Sequence, residues 1–255
     1  MDSAVGHPDI NFRSIAEKIE LLPHTDIICF PEACLTGYTS ETPDRFSIHA
    51  SDERIGKIVH AARDNNVTVV FGFIEHCGNE YHITQAVADS LGRLGLYRKT
   101  HLGRDERVSF TPGNEIRVFD TPKAKIGIQL CWESHFPEMS SKLRKSGAEL
   151  ILIPYGSPIG GPRRKNIWMK HMPARAADNC VFMGAVNAVG QGRGGTVFGG
   201  GSAVLDPKGD LVGEYFGADE NVLTVRLLSE VKDIIGSDEN MGNIDYFMYR
   251  REDLY

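Results

Sequence analysis

No apolar run approaches the roughly 18 residues needed to cross a bilayer, and mean hydropathy is slightly negative at -0.24. A membrane-spanning protein is therefore not expected. Positive charge is not in excess. Twenty-eight Lys and Arg stand against 34 Asp and Glu, for a net charge of -6, so the chain lacks the basic footprint of a nucleic-acid binder. Cysteines are few: five, an odd number, widely spaced and without a CxxC pair. That pattern suits reduced thiols better than a disulfide framework. The opening MDSAVGHPDINF has neither the charged nor the apolar region of a signal peptide, so a cytoplasmic location is expected. Internal repeats, low-complexity stretches and obvious linkers are also missing. What remains is an ordinary soluble composition over 255 residues, expected to form a single domain over residues 1–255.

The 27 glycines imply many tight turns between short strands. Phe12, Ile15, Ile19 and Leu22 fall at helical spacing and Pro23 ends that run. Asp52–Asn65 and Phe136–Ser146 also read as helices, the latter closed by Gly147. A third helix is expected over Arg164–Asp178, kinked at Pro173. Strands are expected at Asp26–Phe30, Val67–Ile74, Ile83–Ala88, Ile116–Asp120, Ala124–Leu130, Leu150–Ile153, Cys180–Asn187, Gly201–Leu205, Leu211–Phe216 and Asn221–Leu227. Several are apolar throughout, so both of their faces should be covered. Two facing sheets with helices outside satisfy this α/β pattern.

Three residues have contexts suited to chemistry. Cys131 follows the strand-like KIGIQL and precedes a helix, a place where free backbone N–H groups can stabilise a thiolate or an oxyanion. Taken alone, such a cysteine is more often a small buried hydrophobe. Glu32 lies just after DIICF, where partial burial would raise its pKa and make it a usable base; a solvated turn glutamate is the plain alternative. Lys99, in YRKTHL, could offset developing negative charge or simply lie on the surface. Cys131, His135, His101, Glu106 and His171 are side chains of metal-ligating type, but no pair has HExxH or CxxC spacing. No metal and no cofactor is expected.

Together, the segments FPEACLTGY, YRKTHL and IQLCWESHFPE, in that order, resemble the nitrilase superfamily of carbon–nitrogen hydrolases. The similarity continues through RVSFTPG, ILIPYGSP, ARAADN, GGGSAVLDPKGDLV and the closing REDLY, and so covers nearly the whole chain. The resemblance implies a four-layer α-β-β-α sandwich and a Glu32–Lys99–Cys131 triad. It implies Glu106 as a second glutamate positioning lysine and substrate, although Asp105 is nearby. The Trp132 N–H would join Lys99 in stabilising the oxyanion, while Tyr155 and Ser157 would line the pocket. Glu133 would hold the elbow through hydrogen bonds, and Arg175 and Asn179 would hold the fold. The implied reaction is thioester-mediated cleavage of a small amide or N-carbamoyl compound. A nitrilase is the alternative, suggested by Trp132-Glu133 after the nucleophile, and a catalytically inactive binding protein is a second. Arg163, Arg164 and Lys165 could receive a substrate carboxylate or form a solvated helix start. The implied partners are a small molecule and a second copy of the chain, with no nucleic acid or membrane. The homodimer could be formed through an exposed Trp168 and Met172, unless these are core residues.

Such proteins open with an apolar strand, and MDSAVGHPDINF resembles only the loop that follows it. The expectation is that Met1 is internal and that about ten residues, a strand and its turn, precede it in the gene; a natural variant that tolerates the loss is the alternative. The first strand would then be missing, with an unfilled position between Asp26–Phe30 and Asn221–Leu227.

Overall fold

The computed structural model describes residues 1–227 and 246–254. Its helices are α1 (Pro8–Leu21), α2 (Pro43–Phe46), α3 (Glu53–Asp64), α4 (Pro137–Lys145), α5 (Gly161–Trp168) and α6 (Met172–Asn179). The strands are β1 (Ile27–Cys29), β2 (Thr68–Cys77), β3 (Glu80–Ala88), β4 (Leu94–Arg98), β5 (Val118–Asp120), β6 (Lys125–Ile128), β7 (Leu150–Tyr155), β8 (Phe182–Asn187), β9 (Val189–Gln191), β10 (Val197–Gly199), β11 (Ser202–Leu205) and β12 (Leu211–Tyr215). One sheet has the order β1-β2-β3-β4 and the other β12-β11-β8-β7-β6-β5, with β9 and β10 forming a small ribbon.

Side-chain alternation builds the layers. Along β2, Val69, Phe71 and Phe73 pack with Ile15 and Ile19 of α1 and Ile55 and Ile58 of α3. Val70 and Ile74, on the opposite face, meet Ile126, Ile128, Leu150 and Leu152 of the second sheet. Ile151 and Ile153 then face outward onto Leu143 of α4, Trp168 of α5, and Met172 and Ala176 of α6. Period-two burial on both faces of both sheets gives the expected α-β-β-α sandwich.

Several expectations need correction. Pro173 does not kink one long helix; it lies in the first turn of α6, where a missing N–H costs nothing, and residues 169–171 separate α5 from α6. Trp168 and Met172 are fully buried in the outer core, so neither offers a surface to a second copy. Residues 221–227 form no strand. They and the β1 segment both line a cavity of about 650 Å³, which Met1 also borders. The two segments do not pair with each other, and the position expected to be unfilled is this cavity.

Candidate active site

Each of the three central residues follows the end of a strand at the interface of the two sheets. Glu32 comes three positions after β1, and the next residue, Ala33, is held in the left-handed region at φ 52°. Gly72 of β2 allows that turn: a side chain there would collide with the backbone of Ala33 and with Gln85. Lys99 directly follows β4. Its N–H donates to Ile83 O at 2.8 Å, and its carbonyl accepts from Gly113 N at 2.8 Å, so the TPG loop clamps it from the far side. Cys131 opens a short 3₁₀ turn after β6, also with positive φ, 44°. Strain of that kind in a non-glycine residue tends to be retained where function requires it.

The side chains form a buried chain. Lys99 Nζ donates to Glu32 Oε1 at 2.8 Å and to Glu106 Oε1 at 2.7 Å. Glu32 Oε2 accepts from Gly156 N at 3.0 Å. Glu106 also accepts from Tyr38 Oη at 2.7 Å and from Gly103 N at 2.5 Å. Burial, partly offset by Lys99, raises the Glu32 pKa to about 7. The Lys99 ammonium is penalised by burial, yet its two carboxylates more than compensate and hold it protonated. Cys131 feels Glu32, Lys99 and Glu106 electrostatically, which puts all four groups in one site; burial first, then the carboxylates, pushes its thiol up to about 12. At rest, then, the nucleophile candidate is a neutral thiol.

Glu133 ties two of these segments together. Its carboxylate accepts from Leu130 N at 2.7 Å on the cysteine side, and from Thr100 N at 2.7 Å and His101 N at 3.0 Å on the lysine side. Tyr97 Oη and Thr100 Oγ1 add further bonds. Burial opposes ionisation, but these donors hold its pKa below the usual carboxylate range. Its stabilisation is therefore present above the unfolded carboxylate pKa of about 4.5 and is lost as pH falls through the lower folded value. Glu133→Ala is expected to cost about 3–5 kcal/mol, since five donors lose their acceptor in a dry setting. Urea unfolding at neutral pH measures this; a loss below about 1 kcal/mol would contradict it.

The remaining expected residues are distributed around Cys131. Trp132 is 46% exposed, with its N–H in the first turn of the 3₁₀ segment, where leading N–H groups lack intrahelical acceptors. Tyr155 is buried, and its hydroxyl lies 2.7 Å from Ser134 Oγ, which donates to Cys131 O at 2.8 Å. The Ser157 backbone is fixed by Asn187, and its hydroxyl accepts from Arg164. Of the basic trio, Arg163 is exposed, Lys165 pairs with Glu214 at 2.6 Å, and only Arg164 is buried. Asn179 receives Ser141 Oγ at 3.0 Å and donates to Arg175 O at 2.8 Å, a fold-holding role. Tyr38 was not anticipated, and Gly156 was expected only to line the pocket beside Tyr155 and Ser157, not to donate to Glu32; the two contacts join positions 68 and 124 residues apart.

A buried carboxylate–ammonium–carboxylate chain beside a cysteine on a strained turn, between two sheets, defines a class: hydrolases that attack a carbonyl or nitrile carbon with sulfur. The carbon-nitrogen hydrolase family model matches residues 11–233, and this chain belongs to that family. An (R)-stereoselective amidase of Pseudomonas sp is 34% identical over 200 residues, 77% of this chain and 70% of the relative. A nitrilase of Pyrococcus abyssi is 30% identical over 264 residues, 100% of this chain and 96% of the relative. A solved structure of a mutant amidase from Nesterenkonia sp. AN1 superposes with a TM-score of 0.82 at 25% identity, covering 99% of this chain and 92% of the other. That structure carries the acetamide moiety of fluoroacetamide on its active-site cysteine. The chain is thus an amidase-like hydrolase of non-peptide C–N bonds with the nitrilase-type fold.

Proposed function

We propose that this enzyme hydrolyses a small amide or N-carbamoyl compound through a thioester on Cys131. The observation that carries the reading is the buried chain of Glu32, Lys99 and Glu106 around a thiol that is neutral at rest. Because that thiol is a weak acid and Glu32 a modest base, full transfer of the proton before attack is strongly uphill. The proton therefore moves from Sγ to Glu32 as sulfur bonds to the carbonyl carbon. Lys99 and the Trp132 N–H offset the oxyanion, with Lys99 held in place by Glu106. Glu32 passes its proton to the departing nitrogen, and ammonia or an amine leaves as the C–N bond breaks. Water, deprotonated by Glu32, then cleaves the thioester to release the acid and restore the thiol. No step draws on a metal or cofactor. Likeness to the amidases supports the amide reading, and the Pyrococcus relative supports nitrile hydrolysis as the second. Assaying ammonia release from ω-amides, N-carbamoyl amino acids and aliphatic nitriles tests the choice. Turnover of nitriles with amides untouched would favour the second reading.

The pH profile follows from the same groups. Glu32 must be ionised to act as base, so kcat/KM is expected to rise with pH through about 7, the Glu32 value, and to fall away below it. An acid limb near the ordinary glutamate value of about 4.5 would contradict the role assigned to burial.

A homodimer in a reducing compartment completes the proposal. All five cysteines are unpaired, as a thiol nucleophile requires, and among the described residues no helix is long and apolar enough to cross a membrane. Light scattering at micromolar concentration is expected to give a dimer mass or larger; only monomer would overturn this.

A further inference from the structure

Two of the lysine and arginine side chains are buried among the described residues, Lys99 and Arg164. Lys99 meets two carboxylates, and Arg164 meets none. Arg164 is 4% exposed, at the second turn of α5. Its Nε donates to Ile159 O at 3.1 Å and its Nη2 to Ser157 Oγ. The guanidinium stacks on Tyr155, 4.9 Å from the ring centroid, and on Trp168 at 5.4 Å. Its other amino group, Nη1, has no acceptor among the described residues and is not sealed from solvent. Ring faces and two neutral acceptors offset only part of the cost of burying a charge, which normally calls for a counter-ion.

The location is informative. Tyr155, under the guanidinium, touches Ser134, which holds the Cys131 carbonyl. Among the described residues, the groups acting electrostatically on Arg164 are Tyr155 and Cys131, whose protons burial holds in place at rest, and the like-charged Arg163; no carboxylate is among them. His135 and His171, stacked at 4.8 Å, stand in the same field but can add only positive charge. The uncompensated cation is therefore next to the nucleophile.

We propose that Arg164 receives a carboxylate of the substrate, so that the enzyme prefers short amides bearing an acid group, such as half-amides of dicarboxylic acids, over neutral or cationic ones. This rests on the amide reading above. The carboxylate accepts from Nη1, supplies the missing counter-ion, and sets the distance from Arg164 to the carbonyl that Cys131 attacks.

The test compares succinamate and glutaramate with butyramide and valeramide, in which a methyl group replaces the carboxylate, and with 4-aminobutyramide. Ammonia release by the wild-type enzyme is expected to favour each acid over its methyl counterpart by about tenfold to a hundredfold in kcat/KM, mainly through KM, with the amine poorest. In Arg164→Met that ratio is expected to fall towards one, and Arg164→Lys should retain part of it. Equal rates on acid and methyl amides in the wild type would overturn the inference and leave the amide reading standing. A ratio unchanged in folded Arg164→Met would also overturn it. Should Arg164→Met not fold, the wild-type ratio and Arg164→Lys decide: a ratio unchanged by lysine, which lacks the planar fork, sinks the assignment. If the wild type cleaves no amide and no acyl group forms on Cys131, the amide reading itself fails.

Discussion

Cys131→Ala is expected to abolish ammonia release, with residual turnover below about a hundredth of wild type. No other group in the site can replace the sulfur. Glu32, Lys99 and Glu106 are locked in mutual hydrogen bonds, and the neighbouring Ser134 hydroxyl is engaged with Tyr155 and the Cys131 carbonyl. What remains after the substitution is binding and oxyanion stabilisation acting on a bare water attack. The fold should survive: alanine accepts the same positive φ no less well than cysteine, and one sulfur atom is removed from a partly buried position. An unfolding free energy within about 1 kcal/mol of wild type separates loss of chemistry from loss of structure. Turnover above about a hundredth of wild type, in a folded variant, would mean that catalysis is not covalent at this residue.

Glu32→Gln is expected to lower kcat by about 10²–10⁴-fold, the usual worth of a general base. Glutamine keeps the shape and can still accept from Lys99 or Gly156 through its carbonyl, so the geometry is retained while the proton acceptor is lost. The electrostatic consequence runs the other way. After burial, the Glu32 charge does most to raise the Cys131 pKa, and removing it makes the thiol more acidic. If Glu32 mattered only through its field, the variant would be as active or faster. A large loss therefore points to proton transfer itself. The acid limb near pH 7 should vanish with it, because the group that titrates there has gone. A variant keeping both the limb and most of its activity would assign the base to another residue.

How much of this was legible in the sequence differs by element. Strands buried on both faces, such as VTVVFGFI and LILIPY, declared themselves by composition, and their alternation predicts which residues face the helices. Cys131, Glu32 and Lys99 stand out through strand-end context and the order of their segments, not through any single motif. Other features depend on contacts between distant segments. A proline can kink a helix or start one, and the chain after Trp168 chose the second because residues 169–171 leave the helix. Trp168 and Met172 could be read from the sequence either as an exposed seam or as core, and the structure has them cover the outer face of the second sheet. Asn221–Leu227 has a strand's composition, yet ladder bonds need a neighbour, and β1, which lines the same cavity, does not pair with it. Tyr38 reaches Glu106 by tertiary packing that no local pattern encodes, and the sequence offered Arg163, Arg164 and Lys165 together without showing that only Arg164 is buried.

Mass spectrometry of the wild-type enzyme, quenched in acid during turnover of an amide, tests the thioester most directly. The account predicts a protein heavier by the acyl group of the substrate, with the addition mapped to the peptide containing Cys131 and absent from Cys131→Ala. Turnover with no acylated enzyme under conditions that slow deacylation, or an acyl group on any of the other four cysteines, would contradict it.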